Sequence, residues 1–310
     1  MADDHPAEHR EMHVNTVFSN PGMDDASRRQ KLYNGQVVVY SATPGSLAFI
    51  EHARDMIAES FGQRDPQTAQ YDMPVEDFAA LLANVKPRFI HHPRSKELIR
   101  NLLGEFGCDL EQTYFDVPRL RTSTSDDYLT SGISYAFHPH RDTWYSAPFS
   151  QVNWWIPIFP VVPENVMAFH PHYWTQPVRN GSQSFDYYEW TRTSRQTAIQ
   201  HVKTDTREQP KPEEPVELEP QVRVVPEAGG VLLFSGNQLH STVPNTSGRT
   251  RFSIDFRTVY LPDVVSRREA PNVDSRCTGT TLRDFLRATD LERMPEDVAL
   301  SYESRTTTPA

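Results

Sequence analysis

Gln36 to Tyr40 (QVVVY) is the first stretch in which apolar, β-branched side chains dominate, and it predicts a short strand. Residues 1–35 before it are polar and irregular, which predicts a partly ordered arm. Beyond it the apolar positions change period. From Ser46 to Phe61 they fall at Leu47, Ile50, Ala53, Ile57 and Phe61, close to the helical repeat. Pro74 and Val75 open a second helix through Phe78, Leu81, Leu82 and Val85, with proline at an accepted first-turn position. A third helix runs from Ser95 to Phe106 and ends near Gly107. Residues 36–112 are therefore expected to form a helical layer.

From Thr113 the pattern becomes one of short strands. Thr113–Arg121, Ile133–Asp142, Gln151–Phe159, Asn165–His170, Val222–Val225, Gly230–Phe234, His240–Val243 and Arg251–Val259 all read this way. Gly, Pro and Asn between them suggest a sandwich or jelly-roll over residues 113–260 rather than a parallel sheet. A polar insertion, 175–220, interrupts the series and includes the Pro/Glu-rich stretch Lys211–Pro220. The tail, 261–310, is expected to carry two short helices near 281–288 and 294–302. There is no internal repeat, and 310 residues are read as one domain with a sizeable core.

Charge and cysteines narrow the class. The formal net charge is −10 and the basic residues are dispersed, which disfavours nucleic acid as a partner. Cys108 and Cys277 are the only cysteines, so neither a disulfide framework nor a cysteine metal site is expected. The N-terminal stretch lacks the apolar core of a secretory signal, and no run approaches the ~20 apolar residues that span a bilayer. These features together predict a cytoplasmic protein.

The candidate chemistry lies in His138-Pro139-His140-Arg141-Asp142-Thr143-Trp144. In an extended strand alternate side chains share a face, so His140 and Asp142 point together and Arg141 points away. His240, 98 residues beyond Asp142, supplies a second imidazole. Two imidazoles and one carboxylate on one side of a metal form the facial triad of non-haem Fe(II) oxygenases, which leaves coordination positions open. His138 shares the face of His140 and is its rival as ligand. His170 and His172 form another same-face pair, without an adjacent carboxylate. His91 and His92 point to opposite faces of any strand and read as surface residues. Trp144, Tyr145, Trp154 and Trp155 offer either aromatic surface at the mouth of the site or ordinary packing.

The second half of the pattern runs from Gly229-Gly230 through His240 to Arg251-Phe252-Ser253: strand, tight turn, histidine, turn, and a returning strand with an arginine eleven residues after the histidine. Together with His140-x-Asp142 this resembles the Fe(II)/2-oxoglutarate dioxygenase superfamily, in its phytanoyl-CoA-dioxygenase-like branch. Glu164-Asn165 to Pro171-His172 resembles that branch's Glu-Asn-Gly…Pro-Gly-Ser-His segment. It departs at Val166, where Gly is usual, and in the shortened Pro-His. Those departures bear on CoA-ester substrates and leave the metal site untouched.

The resemblance covers roughly residues 113–260. It implies a double-stranded β-helix (jelly-roll) core with the N-terminal helices packed on one sheet. It implies Fe(II), with 2-oxoglutarate and dioxygen as cosubstrates, and His140, Asp142 and His240 as ligands. Arg251 would hold the far carboxylate of 2-oxoglutarate through a bidentate pair, with Ser253 on the same face adding a hydroxyl. Arg249 shares the strand parity of Arg251 and stays a rival. Phe252, Ile254 and Phe256 would face the other side as core.

The implied reaction oxidises an unactivated C–H bond by hydroxylation, desaturation or cyclisation, releasing succinate and carbon dioxide. Asp142 speaks against halogenation, for which the superfamily puts a small residue there. The substrate is expected to be a small organic molecule, amino-acid-like or a natural-product intermediate. Trp144, Tyr145, Trp155, His138 and His172 are the candidate contacts. The insertion, with Phe185, Tyr187, Tyr188 and Trp190, is expected to form a mobile cover. Competing readings are a jelly-roll metal-binding protein without oxygenase activity and an iron oxygenase that does not use 2-oxoglutarate; succinate release separates them.

Overall fold

The ten-residue strand Arg251–Tyr260 organises the molecule, because its alternation separates two environments. Phe252, Ile254 and Phe256 are fully buried on one side, while Arg251, Ser253, Asp255 and Arg257 alternate with them on the other. The structure, a computed structural model, describes residues 17–129, 138–193 and 209–306. In chain order the elements are β1 (Val17–Ser19), α1 (Asp25–Tyr33), β2 (Val37–Tyr40), α2 (Pro44–Phe61), α3 (Val75–His91), α4 (Pro93–Glu105), β3 (Thr113–Phe115) and β4 (Arg119–Ser123). Then follow β5 (Val152–Pro157), β6 (Met167–Phe169), α5 (Tyr187–Thr193), β7 (Val222–Arg223), β8 (Val231–Ser235), β9 (His240–Thr242), β10 (Arg251–Tyr260), α6 (Leu261–Ser266), β11 (Leu286–Arg287) and α7 (Glu296–Thr306).

The major sheet has the order β1-β2-β8-β5-β10-β3-β11, with β4 also pairing with β10. A minor sheet has the order β7-β6-β9. Val37, Trp155, Leu232 and Phe234 of the major sheet pack against Val166 and Phe169, giving the two-sheet jelly-roll core. The opposite face of the major sheet is covered by α2, α3 and α4.

The helices form where the pattern placed them, for identifiable reasons. Thr43 and Ser46 make a reciprocal capping box at the start of α2, with Pro44 in the first turn. Phe49, Ile50, Ala53, Met56, Ile57 and Phe61 then form its buried stripe, whereas Leu47 is exposed. Phe78, Leu82, Val85 and Phe89 do the same for α3, which continues to His91 despite Pro87. Phe49 stacks on Phe89, and Phe61 meets Phe252 edge-on. Edge and stacked ring contacts of this kind add to what area burial supplies. His91 and His92 are exposed, at the junction of α3 and α4 rather than in a strand.

Four expectations are corrected. Residues 25–33 are helical, not an irregular arm: Asp24 caps α1, and Arg28 is buried by pairing with Asp25 and bonding the Phe106 carbonyl. A buried, paired arginine is invisible to hydrophobic periodicity. The strand expected over Thr113–Arg121 is two strands, β3 and β4. The strand expected over Ile133–Asp142 ends early: His140 forms an isolated bridge, and Asp142 opens a 3₁₀ turn to Tyr145; residues 133–137 lie outside those described. The helix expected at 281–288 is a 3₁₀ turn followed by β11, which pairs with β3, and α6 follows β10 directly. No helix among the described residues is long and apolar enough to cross a membrane.

Candidate metal centre

His140 and His240 face each other across an isolated antiparallel bridge at the start of β9. Each backbone N–H donates to the other's carbonyl, at 2.9 and 3.0 Å, so they form a hydrogen-bonded antiparallel pair with side chains on one face. Their rings lie 4.4 Å apart. Asp142 reaches the same point by a different route. Its backbone N–H donates to the Gly236 carbonyl at 2.9 Å, just before the β9 strand, and its carboxylate turns toward the imidazoles. Asp142 Oδ1 is 3.6 Å from His140 Nε2 and 4.0 Å from His240 Nε2. Among the described residues these three form the group able to hold a metal, with all donor atoms within 4.8 Å of one another.

The surroundings prepare each donor. His140 Nδ1 bonds the His138 carbonyl and His240 Nδ1 bonds the Gln238 carbonyl, at 2.8 and 2.9 Å. A carbonyl only accepts, so Nδ1 carries the proton and both Nε2 lone pairs face the centre. Burial, then repulsion by His140, holds His240 down to about 4, keeping it in the neutral form that ligates. Burial pushes the Asp142 carboxyl up, but the closeness of His140, the Arg257 charge and His240 outweigh it, leaving it well below the usual carboxylate range. Gln151 Nε2 and Asn153 Nδ2 both donate to Asp142 Oδ2, at 2.9 and 2.7 Å. Oδ1 is thereby left as the oxygen turned to the histidines. Gly236 leaves room beside them, since a Cβ there would lie 3.0 Å from Gln151 Nε2 and 3.4 Å from Asp142 Cβ and would press on the Gln151 amide.

These donors open onto a cavity of about 380 Å³ between the two sheets. Arg251 lines it, buried, with Nη1 donating to the Asn165 carbonyl at 2.9 Å and its guanidinium over the Trp155 ring. Its Nε and the nearby Ser253 Oγ are buried without a hydrogen-bond partner. A buried guanidinium with an unsatisfied donor suits a bound carboxylate. Burial and the Arg121 charge pull Arg251 down to about 10, still cationic at neutral pH. Arg249, the rival, is exposed.

Other expected contacts divide. Tyr145 and Trp155 line the cavity. Trp144 does not: it is fully buried, donating from Nε1 to Asp274 at 2.6 Å. Together with Arg141, which pairs with the same Asp274, it ties the turn that carries Asp142 to the C-terminal tail. Trp154 presents its ring to Phe106 and Phe256 on the helical face, because strand alternation turns it away from Trp155. His138 bonds the Pro210 carbonyl through Nε2 and is not grouped with the ligands. His172 is exposed and away from the cavity, and His170 is buried against Ser241.

In the insertion, Phe185 packs on Tyr145 and Trp190, and Tyr187 and Trp190 line the cavity. This part is clipped to the tail by backbone bonds between Phe185, Tyr187 and Thr278; residues 194–208 of the expected cover lie outside those described. Sequence reasoning missed Gln151 and Asn153, and Asp116, Arg119 and Arg257 in the wall. The signal was present in part: polar residues at alternate positions of the otherwise apolar QVNWW strand, and Asp255 and Arg257 in phase with Arg251.

No curated protein matches the chain. Among solved structures, EvdO2 from Micromonospora carbonacea var. aurantiaca is 12% identical, with 77% of this chain and 92% of that one covered at a TM-score of 0.42. AviO1 from Streptomyces viridochromogenes Tue57 is 13% identical, covering 82% and 100%, at 0.39. The non-heme alpha ketoglutarate dependent epimerase SnoN from nogalamycin biosynthesis is 15% identical, covering 76% and 84%, at 0.37. Likeness of this degree carries no functional information. The family model of phytanoyl-CoA dioxygenase (PhyH), however, matches residues 34–253, more than two thirds of the chain and the whole span from β2 to Ser253. The chain belongs to the phytanoyl-CoA dioxygenase family, and with it to the non-haem iron, 2-oxoglutarate-dependent enzymes.

Proposed function

We propose that this enzyme oxidises an unactivated C–H bond of a small organic molecule, with His140, Asp142 and His240 as iron ligands and Arg251, aided by Ser253, as the anchor for 2-oxoglutarate. The observation that carries this reading is the convergence of three prepared donors on a cavity that Arg251 also lines. When bound, Fe(II) with 2-oxoglutarate supplies the oxidising power for the C–H bond, with succinate and carbon dioxide as co-products.

The chain's own residues do the rest. His140 and His240 present Nε2 because backbone carbonyls hold their Nδ1 protons. Gln151 and Asn153 fix Asp142 as a one-oxygen donor, so the remaining side of the centre stays open. Arg251 gives 2-oxoglutarate a single orientation, since its planar fork matches a carboxylate. Tyr145, Trp155, Tyr187 and Trp190 provide aromatic walls that position a substrate and exclude water.

We read the whole chain as one dioxygenase domain, with 113–260 as the core and 175–220 as its cover. A reducing cytoplasm suits Fe(II) and two free cysteines. Iron content and 2-oxoglutarate-dependent succinate release test the assignment. Asp142→Ala should lower both by about 100-fold or more, beyond what loss of an outer partner costs. Undiminished succinate release in Asp142→Ala overturns it, and wild-type iron uptake without succinate would favour an oxygenase using another cosubstrate.

A further inference from the structure

One wall of the cavity carries charge that neither iron nor 2-oxoglutarate uses. Asp116, between β3 and β4, accepts from Arg119 Nη1 at 2.5 Å and from Arg257 Nη1 at 3.2 Å through the same oxygen. Its other oxygen accepts the Arg257 backbone N–H at 2.7 Å. Asp116 is thus saturated while serving two guanidiniums. Asp255, the next carboxylate, is bonded to Arg121 at 3.0 Å. Arg119 and Arg257 both line the cavity, and among the described residues their Nε and Nη2 groups make no hydrogen bond. Those nitrogens are not sealed in the interior either, unlike Arg251 Nε.

We infer that Arg119 and Arg257 bind an oxyanion of the substrate, so that the enzyme acts on a small molecule bearing a carboxylate or a phosphate ester. Asp116 is the carboxylate both guanidiniums bond, and the N–H groups it leaves over in a partly desolvated cavity can be satisfied by a bound anion. Burial and then Arg257 repulsion hold Arg119 below its ordinary value, whereas at Arg257 the attraction of Asp116, Asp255 and Asp142 outweighs burial and raises it. Paired guanidiniums with free N–H groups on one side offer charge-assisted, directional bonds to an oxyanion.

The site is distinct from the cosubstrate anchor. Arg251 and Arg257 lie on one face of β10, six residues apart, or about 20 Å along the strand. Arg257 is in register with Asn153, whose amide holds Asp142. The anion would therefore sit on the metal side of the cavity and bring nearby C–H bonds toward the open positions.

This inference rests on the proposed function for its meaning but is tested without turnover. Binding of propionate, methyl phosphate and uncharged n-propanol to the metal-free full-length protein is followed by ligand-observed NMR. Binding of Ni(II) and 2-oxoglutarate is measured in parallel. Wild type should bind propionate or methyl phosphate well above n-propanol, and the preferred anion names the substrate's group. Arg257→Gln and, independently, Arg119→Gln should weaken that anion about tenfold or more, as expected for a charge-assisted bond. The 2-oxoglutarate requirement should stay within about twofold.

Glutamine retains a donor for Asp116, and far-ultraviolet circular dichroism confirms folding; if one variant does not fold, the other decides. Equal binding of propionate, methyl phosphate and propanol, unchanged anion binding in the folded variants, or a defect confined to 2-oxoglutarate overturns the inference. Loss of Ni(II) and 2-oxoglutarate binding in wild type, with anion binding intact through these arginines, would sink the metal reading and leave this one standing.

Discussion

The two faces of the major sheet are made by the same strands and obey opposite rules. On the helical face, Val152, Trp154, Ile156, Phe252, Ile254 and Phe256 are dry and close-packed against α2–α4. On the other face the interleaved residues Asn153, Trp155, Arg251, Asp255 and Arg257 line a cavity filled with charge and hydrogen-bonding groups. A one-residue slip in β10 would exchange them, placing guanidiniums under the helices and phenylalanines at the iron site. The apolar face therefore fixes the register on which the chemistry of the other face depends. Stability is concentrated on one side, and function is left free to carry buried charge on the other.

Adjacent substitutions should pull these faces apart. The largest stability effect is expected for Phe252→Ala, which removes a fully buried ring from the Phe61 and Phe159 contacts. A loss of about 3–5 kcal/mol by denaturant unfolding is expected, while protein that remains folded should keep its 2-oxoglutarate requirement. Arg251→Ala, one residue away, should do the reverse. It should raise the 2-oxoglutarate requirement by roughly 30-fold or more with little change in unfolding. Arg251→Lys should recover part of this, since an ammonium lacks the planar fork. A larger defect in exposed Arg249→Ala would break the argument that the inward-facing residue is the anchor.

Asn153→Leu sharpens the comparison further, because it makes the cavity face locally resemble its opposite. Metal affinity should fall about tenfold or more, and the electron paramagnetic resonance of a bound cobalt(II) probe should change as Asp142 loses a fixed orientation. An unaltered spectrum and affinity would show that Gln151 alone holds Asp142. The smallest effect is expected from the cover. Limited proteolysis within 175–220 should slow when iron, 2-oxoglutarate and substrate are present. Equal cutting with and without them would mean that this segment is only a surface loop, as its attachment to Thr278 on the tail would then explain.

Much was legible because periodicity reports burial. The stripe from Ile50 to Phe61, the alternation in β5 and β10, and the same-face placing of His140 and Asp142 follow from local geometry, which repeats every 3.6 or 2 residues, whereas His240 and Arg251 were singled out by the resemblance to the dioxygenase superfamily. The sequence by itself determined the helical layer, the strand-rich core, and the set of donors and their order. What only the tertiary structure decided depends on neighbours distant in the chain. That His140 pairs with His240 across strands, that Asp142 turns from a 3₁₀ corner held by Gly236, and that Gln151 and Asn153 bind its second oxygen are all cross-strand facts. So are the burial of Arg28 by pairing and of Trp144 against Asp274, and the burial of Arg251 where Arg249 stays exposed. Local propensity places a side chain on a face, but only the packed partner determines whether that face meets solvent, a helix or the iron site.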